Sequence, residues 1–108
     1  MKVRKVNPAE VENANSILQL VAYVKQVPVE IIRSDNSTKP VSYARSLSVY
    51  FILTNTKLQW DLVAGMFSFS SVQGSLHYCY HKIKDAAAVY EDVRADINSI
   101  SEQLNLSA

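Results

Sequence analysis

Ser70, Ser71, Gln73, Gly74 and Ser75 crowd into one short stretch that leads directly into Leu76, Cys79 and Ile83, an apolar row at helical spacing. A side-chain amide in the first turn of a helix can pair bidentately with the edge of adenine, a contact worth roughly 1–3 kcal/mol of discrimination. Gln73 has that chemistry. It also lies three residues after Ser70, the spacing at which serine and glutamine close a capping box. Both readings stand for it. Ser70 and Ser71 offer hydroxyl and backbone N–H donors to a phosphate at a helix amino end, or simply cap that end. Gly74 and Ser75 are small enough to let a helix approach bases closely; otherwise they are an exposed small pair, with the glycine costing about 1 kcal/mol of helix stability.

Other chemistries find little support. No carboxylate pair has catalytic spacing, no nucleophile is set beside a base, and the G-x-x-x-x-G-K-[ST] phosphate loop is missing, so no enzyme activity and no cofactor is expected. The single cysteine, Cys79, has only His77 and His81 for company, which falls short of a zinc site; a small buried hydrophobe is its expected role. His77, Tyr78, His81 and Lys82 form a polar and aromatic patch, and for His77 and Tyr78 surface or edge packing is the ordinary reading.

The chain of 108 residues, 48% of them hydrophobic, has enough apolar content for one globular domain spanning residues 1–108. Its longest apolar run, Val49 to Leu53, is far shorter than the roughly 20 residues that cross a bilayer. With no apolar signal-peptide centre near the amino end, a cytoplasmic protein without membrane contact is expected. The formal net charge of +1 conceals a division. Residues 33–84 carry Arg33, Lys39, Arg45, Lys57, Lys82 and Lys84 against Asp35 and Asp61, or +4, whereas residues 85–108 carry Arg94 against five carboxylates, or −4.

Two glycines and three prolines argue for helices with short connections, and about six helices are expected. Asn7, Pro8 and Glu10 start the first with capping-box chemistry, and Val11, Ala14, Leu18, Val21 and Val24 form its stripe to Lys25. A short helix entered at Pro28 precedes the polar loop from Arg33 to Lys39. Pro40 opens the third, with Ala44, Leu47 and Phe51 inward despite the β-favouring run around Val49 to Leu53. After a break at Asn55 to Lys57, Trp60, Val63, Ala64 and Phe67 share a core face, with Gly65 expected where something packs close. The helix begun near Ser71 follows, and Val93, Ile97, Ile100 and Leu104 mark the last.

A ten-residue helix, a serine-capped turn and a second helix over about residues 58–84, inside the basic third, outline a helix-turn-helix. The order of residues resembles the carboxy-terminal DNA-binding domain of the bacterial replication initiator DnaA, a Trp-repressor-like helical fold, over roughly residues 17–104. The segment VAYVKQVPVEII looks like that domain's opening helices, and ARSLSVYF looks like its A-R-Q-I-A-M-Y-L. Trp60, Val63, Ala64 and Phe67 fall on its L-x-x-I-G-x-x-F; after one extra residue, SLHYCYHKI falls on T-V-L-H-A-C-R-K-I. The segment YEDVRADINSISEQL is similar to its acidic closing helix.

That resemblance implies sequence-specific binding of double-stranded DNA, in replication initiation or its regulation, with the span from Ser71 to Tyr78 facing the major groove. It sets Lys39 at the loop arginine that enters the minor groove, Arg45 at the arginine opening the next helix, and Lys57 within reach of phosphate. Solvated surface charge is the alternative for each. The family's G-G-R-D-H-T-T is replaced here by Phe69 to Ser75, so its target sequence does not carry over. Lysine also gives up more solvation than arginine on entering a narrow groove. The loss of those contacts motivates an alternative, a protein-interaction module on the same scaffold using Phe69, Val72 and Tyr78.

Overall fold

Pro8, Pro28 and Pro40 each stand at a helix start in the computed structural model, which describes residues 8–36, 38–67 and 76–107. Proline's fixed φ suits the first turn, where its missing N–H forfeits no helical bond. The elements are α1 (Pro8–Lys25), α2 (Val29–Ile32), α3 (Lys39–Asn55), α4 (Trp60–Gly65), α5 (His77–Val89) and α6 (Glu91–Ser107). No strand occurs among the described residues, and none of their helices is long and apolar enough to cross a membrane. The chain is all-α. The caps expected at Asn7 and Ser70 lie outside the described residues.

The central element is α3, which touches α1, α2, α4 and α5. It is buried almost all round: Val41, Ala44, Leu47, Val49, Phe51 and Ile52 face neighbours on several sides. That explains how a β-favouring composition becomes helix, since encircling packing outweighs the small cost of β-branched residues. Its hydroxyl side chains bond back along the helix, Ser48 Oγ to the Ala44 carbonyl at 2.9 Å and Thr54 Oγ1 to that of Tyr50 at 2.8 Å.

Against this axis α1 presents Ala14, Ile17, Leu18 and Val21, all essentially inaccessible, with Val11 and Val24 only half-buried at the ends of the stripe. Gln26, at φ 56°, then takes the left-handed conformation, and Val27 N–H donates to the Ala22 carbonyl at 3.0 Å. This is a Schellman-type stop with glutamine in glycine's usual place. The closing α6 packs on α1 and α5 through Val93, Ile97, Ile100 and Leu104. Glu91 and Asp92 sit in its first turn, where the helix dipole favours negative charge, and Arg94 Nη1 reaches back to the Ala87 carbonyl at 2.9 Å.

Candidate nucleic-acid interface

The connection from α2 to α3 is held by a buried arginine. Arg45, 8% exposed, donates from Nε to the Ile32 carbonyl at 2.8 Å and from Nη2 to the carbonyls of Ser34 and Asn36. The sequence expectation set Arg45 on the surface as a contact to the DNA flank. The structure corrects this: its side chain is buried and its fork is engaged by three backbone carbonyls, so its part is to shape the loop. A planar guanidinium suits the task because its donors diverge in fixed directions. Asn36 turns the chain further, accepting from both Thr38 N–H at 2.9 Å and Thr38 Oγ1 at 2.7 Å.

The loop so fixed lies against the end of α4. Arg33 Nε donates to the Met66 carbonyl at 2.7 Å, although 33 positions separate the two residues. The corner that leaves α4 through the buried Phe67 therefore starts beside Arg33 and Ser34. Lys39 is exposed in the first turn of α3, which holds no acidic residue to offset the positive helix end. Gly65 is not under a close neighbour as expected: a Cβ built there would meet nothing within 4 Å, and the residue opens onto the groove shared with Arg33 and Met66.

Lys57 stands apart from Lys39, although its neighbour Leu58 lines a groove with Arg33, Gly65 and Met66. It follows α3 at the opposite end of a 17-residue helix about 25 Å long, with its backbone N–H donating to the Glu10 carboxylate at 3.1 Å. Ser70, Ser71, Gln73, Gly74 and Ser75 lie outside the described residues, as do Phe69 and Val72. Of the expected contact residues on the second helix, Tyr78 is described: it is 64% exposed, with the Lys82 ammonium 5.7 Å from its ring centre.

The inner row of α5 is Leu76, Cys79 and Ile83, all buried as their spacing predicts. Burial pushes the Cys79 thiol up, against smaller opposing pulls from the Ser46 hydroxyl and the Arg45 and Lys82 charges. The thiol is thus kept protonated and poorly nucleophilic. The outer face carries His77, Tyr78, His81, Lys84 and Asp85, all exposed, with half-buried Lys82. Trp60, expected in the core, is only half-buried and packs its ring 4.3 Å from that of His77. The ordinary surface role expected of His77 and Tyr78 leaves out one relation: His77 and His81 stand at i, i+4 on one helix, the available signal for a continuous face.

Among the described residues, no group of three or more His, Cys, Asp or Glu side chains is arranged to hold a metal ion. No protein-family model, curated protein or solved structure matches the chain.

Proposed function

We propose that this protein binds double-stranded DNA sequence-specifically through a helix-turn-helix of the DnaA carboxy-terminal type, formed by α4 and α5. The observation that carries the reading is the Arg33–Met66 hydrogen bond, which joins the basic loop to the exit of α4. A contact surface built on that junction combines a groove-facing helix with a flanking cation, the arrangement by which such motifs fix register on the phosphate backbone and read bases. Lys39 supplies the flank. Ser71, Gln73, Gly74, Ser75 and Tyr78 are assigned to the major groove, Ser70 to a phosphate at the amino end of that helix, and Lys57 to a separate phosphate. The excess positive charge of residues 33–84 supports the same assignment.

Titration with a mixed-sequence duplex at low and moderate salt tests it, with specificity read by selection from randomised duplexes. Replacing Lys39 by alanine should weaken binding and lower the salt slope by about 0.9 for the lost phosphate contact. Affinity indifferent to both salt and Lys39→Ala removes the reading. The strong exposure of Tyr78 favours a second reading, a protein-interaction module in which aromatic side chains anchor a partner. A specific partner that copurifies after nuclease treatment and is lost in Tyr78→Ala would establish that alternative.

A further inference from the structure

Five rings from three helices form a continuous array on one side of the molecule. Tyr50 of α3 stacks on Tyr80 of α5 with centroids 5.5 Å apart and planes 23° from parallel. Tyr80 meets the edge of His81 at 5.2 Å, His81 lies parallel to His77 at 5.9 Å and 8°, and His77 covers Trp60 at 4.3 Å. The array is graded in depth: Tyr50, Trp60 and Tyr80 are half-buried supports, while His77 and His81 are exposed. Tyr78 lies beside it on α5, lining one shallow groove with His77 and His81. Rings braced in this way have little rotamer freedom left to lose on binding, so a planar ligand can stack without a large ordering cost.

The polarity of the face selects the ligand. From His77 to Val89 the outward positions are His77, Tyr78, His81, Lys82, Lys84, Asp85, Ala88 and Val89; the one large aliphatic side chain among them, Val89, stands at the end of α5 away from the rings, so the ring-bearing end itself offers polar and aromatic groups. Flat rings flanked by two lysines and one carboxylate suit a strand that offers unstacked bases and phosphates together. A duplex hides its base faces; a single strand presents them. The geometry points to a second nucleic-acid activity: the outer face of α5, with Trp60 behind it, binds single-stranded DNA by base stacking on Tyr78, His77 and His81. This rests on the reading of α5 as a nucleic-acid-facing helix, shares Tyr78 with the major-groove contacts, and extends the surface along α5 to His81.

Trp60 is the only tryptophan, so its fluorescence reports on this face alone. The full chain is titrated with a labelled twenty-nucleotide oligothymidylate, reading Trp60 emission and label anisotropy, beside the matching oligouridylate and a duplex of equal length. Saturable binding with a change in Trp60 emission is expected. The double variant His77→Ala/His81→Ala should bind oligothymidylate at least about tenfold more weakly, and His81→Phe, which keeps a flat ring, should retain most of the affinity. Circular dichroism confirms that each variant keeps its helices. Absence of oligothymidylate binding, or affinity unchanged in the double variant, overturns the inference; tighter binding of oligouridylate overturns its assignment to DNA. Duplex binding that persists in either case, with its dependence on Lys39, leaves the helix-turn-helix reading standing. Conversely, oligothymidylate binding without any duplex binding sinks that reading and keeps this one.

Discussion

The Tyr43 hydroxyl donates to Asp96 Oδ2 at 2.6 Å, and the same carboxylate oxygen receives the Lys25 ammonium at 3.1 Å. Lys25 also lies 5.2 Å from the Tyr43 ring centre. One half-buried carboxylate on α6 thus ties the end of α1 to the middle of the bundle. Because Lys25 and Asp96 each retain 27% side-chain exposure, solvent screens their attraction, and the short phenol bond is the stronger contact.

This relationship sets an alkaline limit on stability. Burial, then the hydrogen bond to Asp96, then the negative charges of Asp96 and Asp92, all raise the pKa of Tyr43 far above its ordinary value near 10. A raised folded-state value on an acid that ionises to an anion means that the folded chain holds its proton after the unfolded chain has lost it. The contribution is full below about pH 10 and is lost as pH rises from there toward the folded-state value. Denaturant unfolding at pH 8 and pH 10.5 should show a loss in wild type that shrinks in Tyr43→Phe. Equal losses in both proteins would disprove the account.

Arg45 gives a second prediction. Removing its guanidinium leaves the carbonyls of Ile32, Ser34 and Asn36 without their donor, so Arg45→Met should destabilise by about 3 kcal/mol, the scale of a hydrogen bond to a charged donor. Lysine cannot reproduce a divergent fork, so Arg45→Lys should recover little of the loss. Thermal unfolding of the two variants checks this. A variant as stable as wild type would show that the loop holds its shape unaided.

The positions of helices were legible in the sequence where local chemistry decides them. Pro8, Pro28 and Pro40 mark starts through a constraint that acts within one residue, and the Leu76, Cys79 and Ile83 row needs only a helical period. What stayed hidden depends on partners far along the chain. Nothing in the sequence around Arg45 tells that three carbonyls from residues 32 to 36 await it, nor that Arg33 meets Met66. Gly65 was read as a close-packing point because glycine often marks one, but open space is equally compatible with a missing side chain. The shared face of Trp60, Val63, Ala64 and Phe67 points Trp60 to the core; its ring instead backs His77, a contact between helices that no local spacing shows. The expected DNA-contacting turn itself, from Ser70 to Ser75, falls where the sequence alone speaks.

The pair Ser46 and Cys79 gives a third prediction. Ser46 Oγ is buried in α3 with no hydrogen-bond partner at bonding geometry, although its hydroxyl still favours the Cys79 thiolate. An unsatisfied buried hydroxyl costs desolvation free energy, so Ser46→Ala should stabilise by about 1 kcal/mol. In wild type, thiol-specific labelling of Cys79 at pH 8 should be slow until denaturant is added, since the thiol is both covered and held protonated. A destabilised Ser46→Ala variant would mean that the hydroxyl and thiol are bonded after all.

The end of α1 carries the last prediction. Gln26 occupies the left-handed region at φ 56°, where a Cβ crowds the following carbonyl at roughly 1–2 kcal/mol for residues other than glycine. Its side chain is exposed, so removing it costs little packing. The Val27 N–H bond to Ala22 depends on backbone conformation alone and survives the change. Gln26→Gly should therefore stabilise the protein by about 0.5–1 kcal/mol, the strain relief being partly offset by glycine's greater freedom in the unfolded chain. Gln26→Ala keeps the Cβ and should change nothing comparable, which separates backbone strain from any role of the amide. Denaturant midpoints of both variants decide it: stabilisation by alanine equal to that by glycine would locate the effect in the side chain, contrary to the argument from φ.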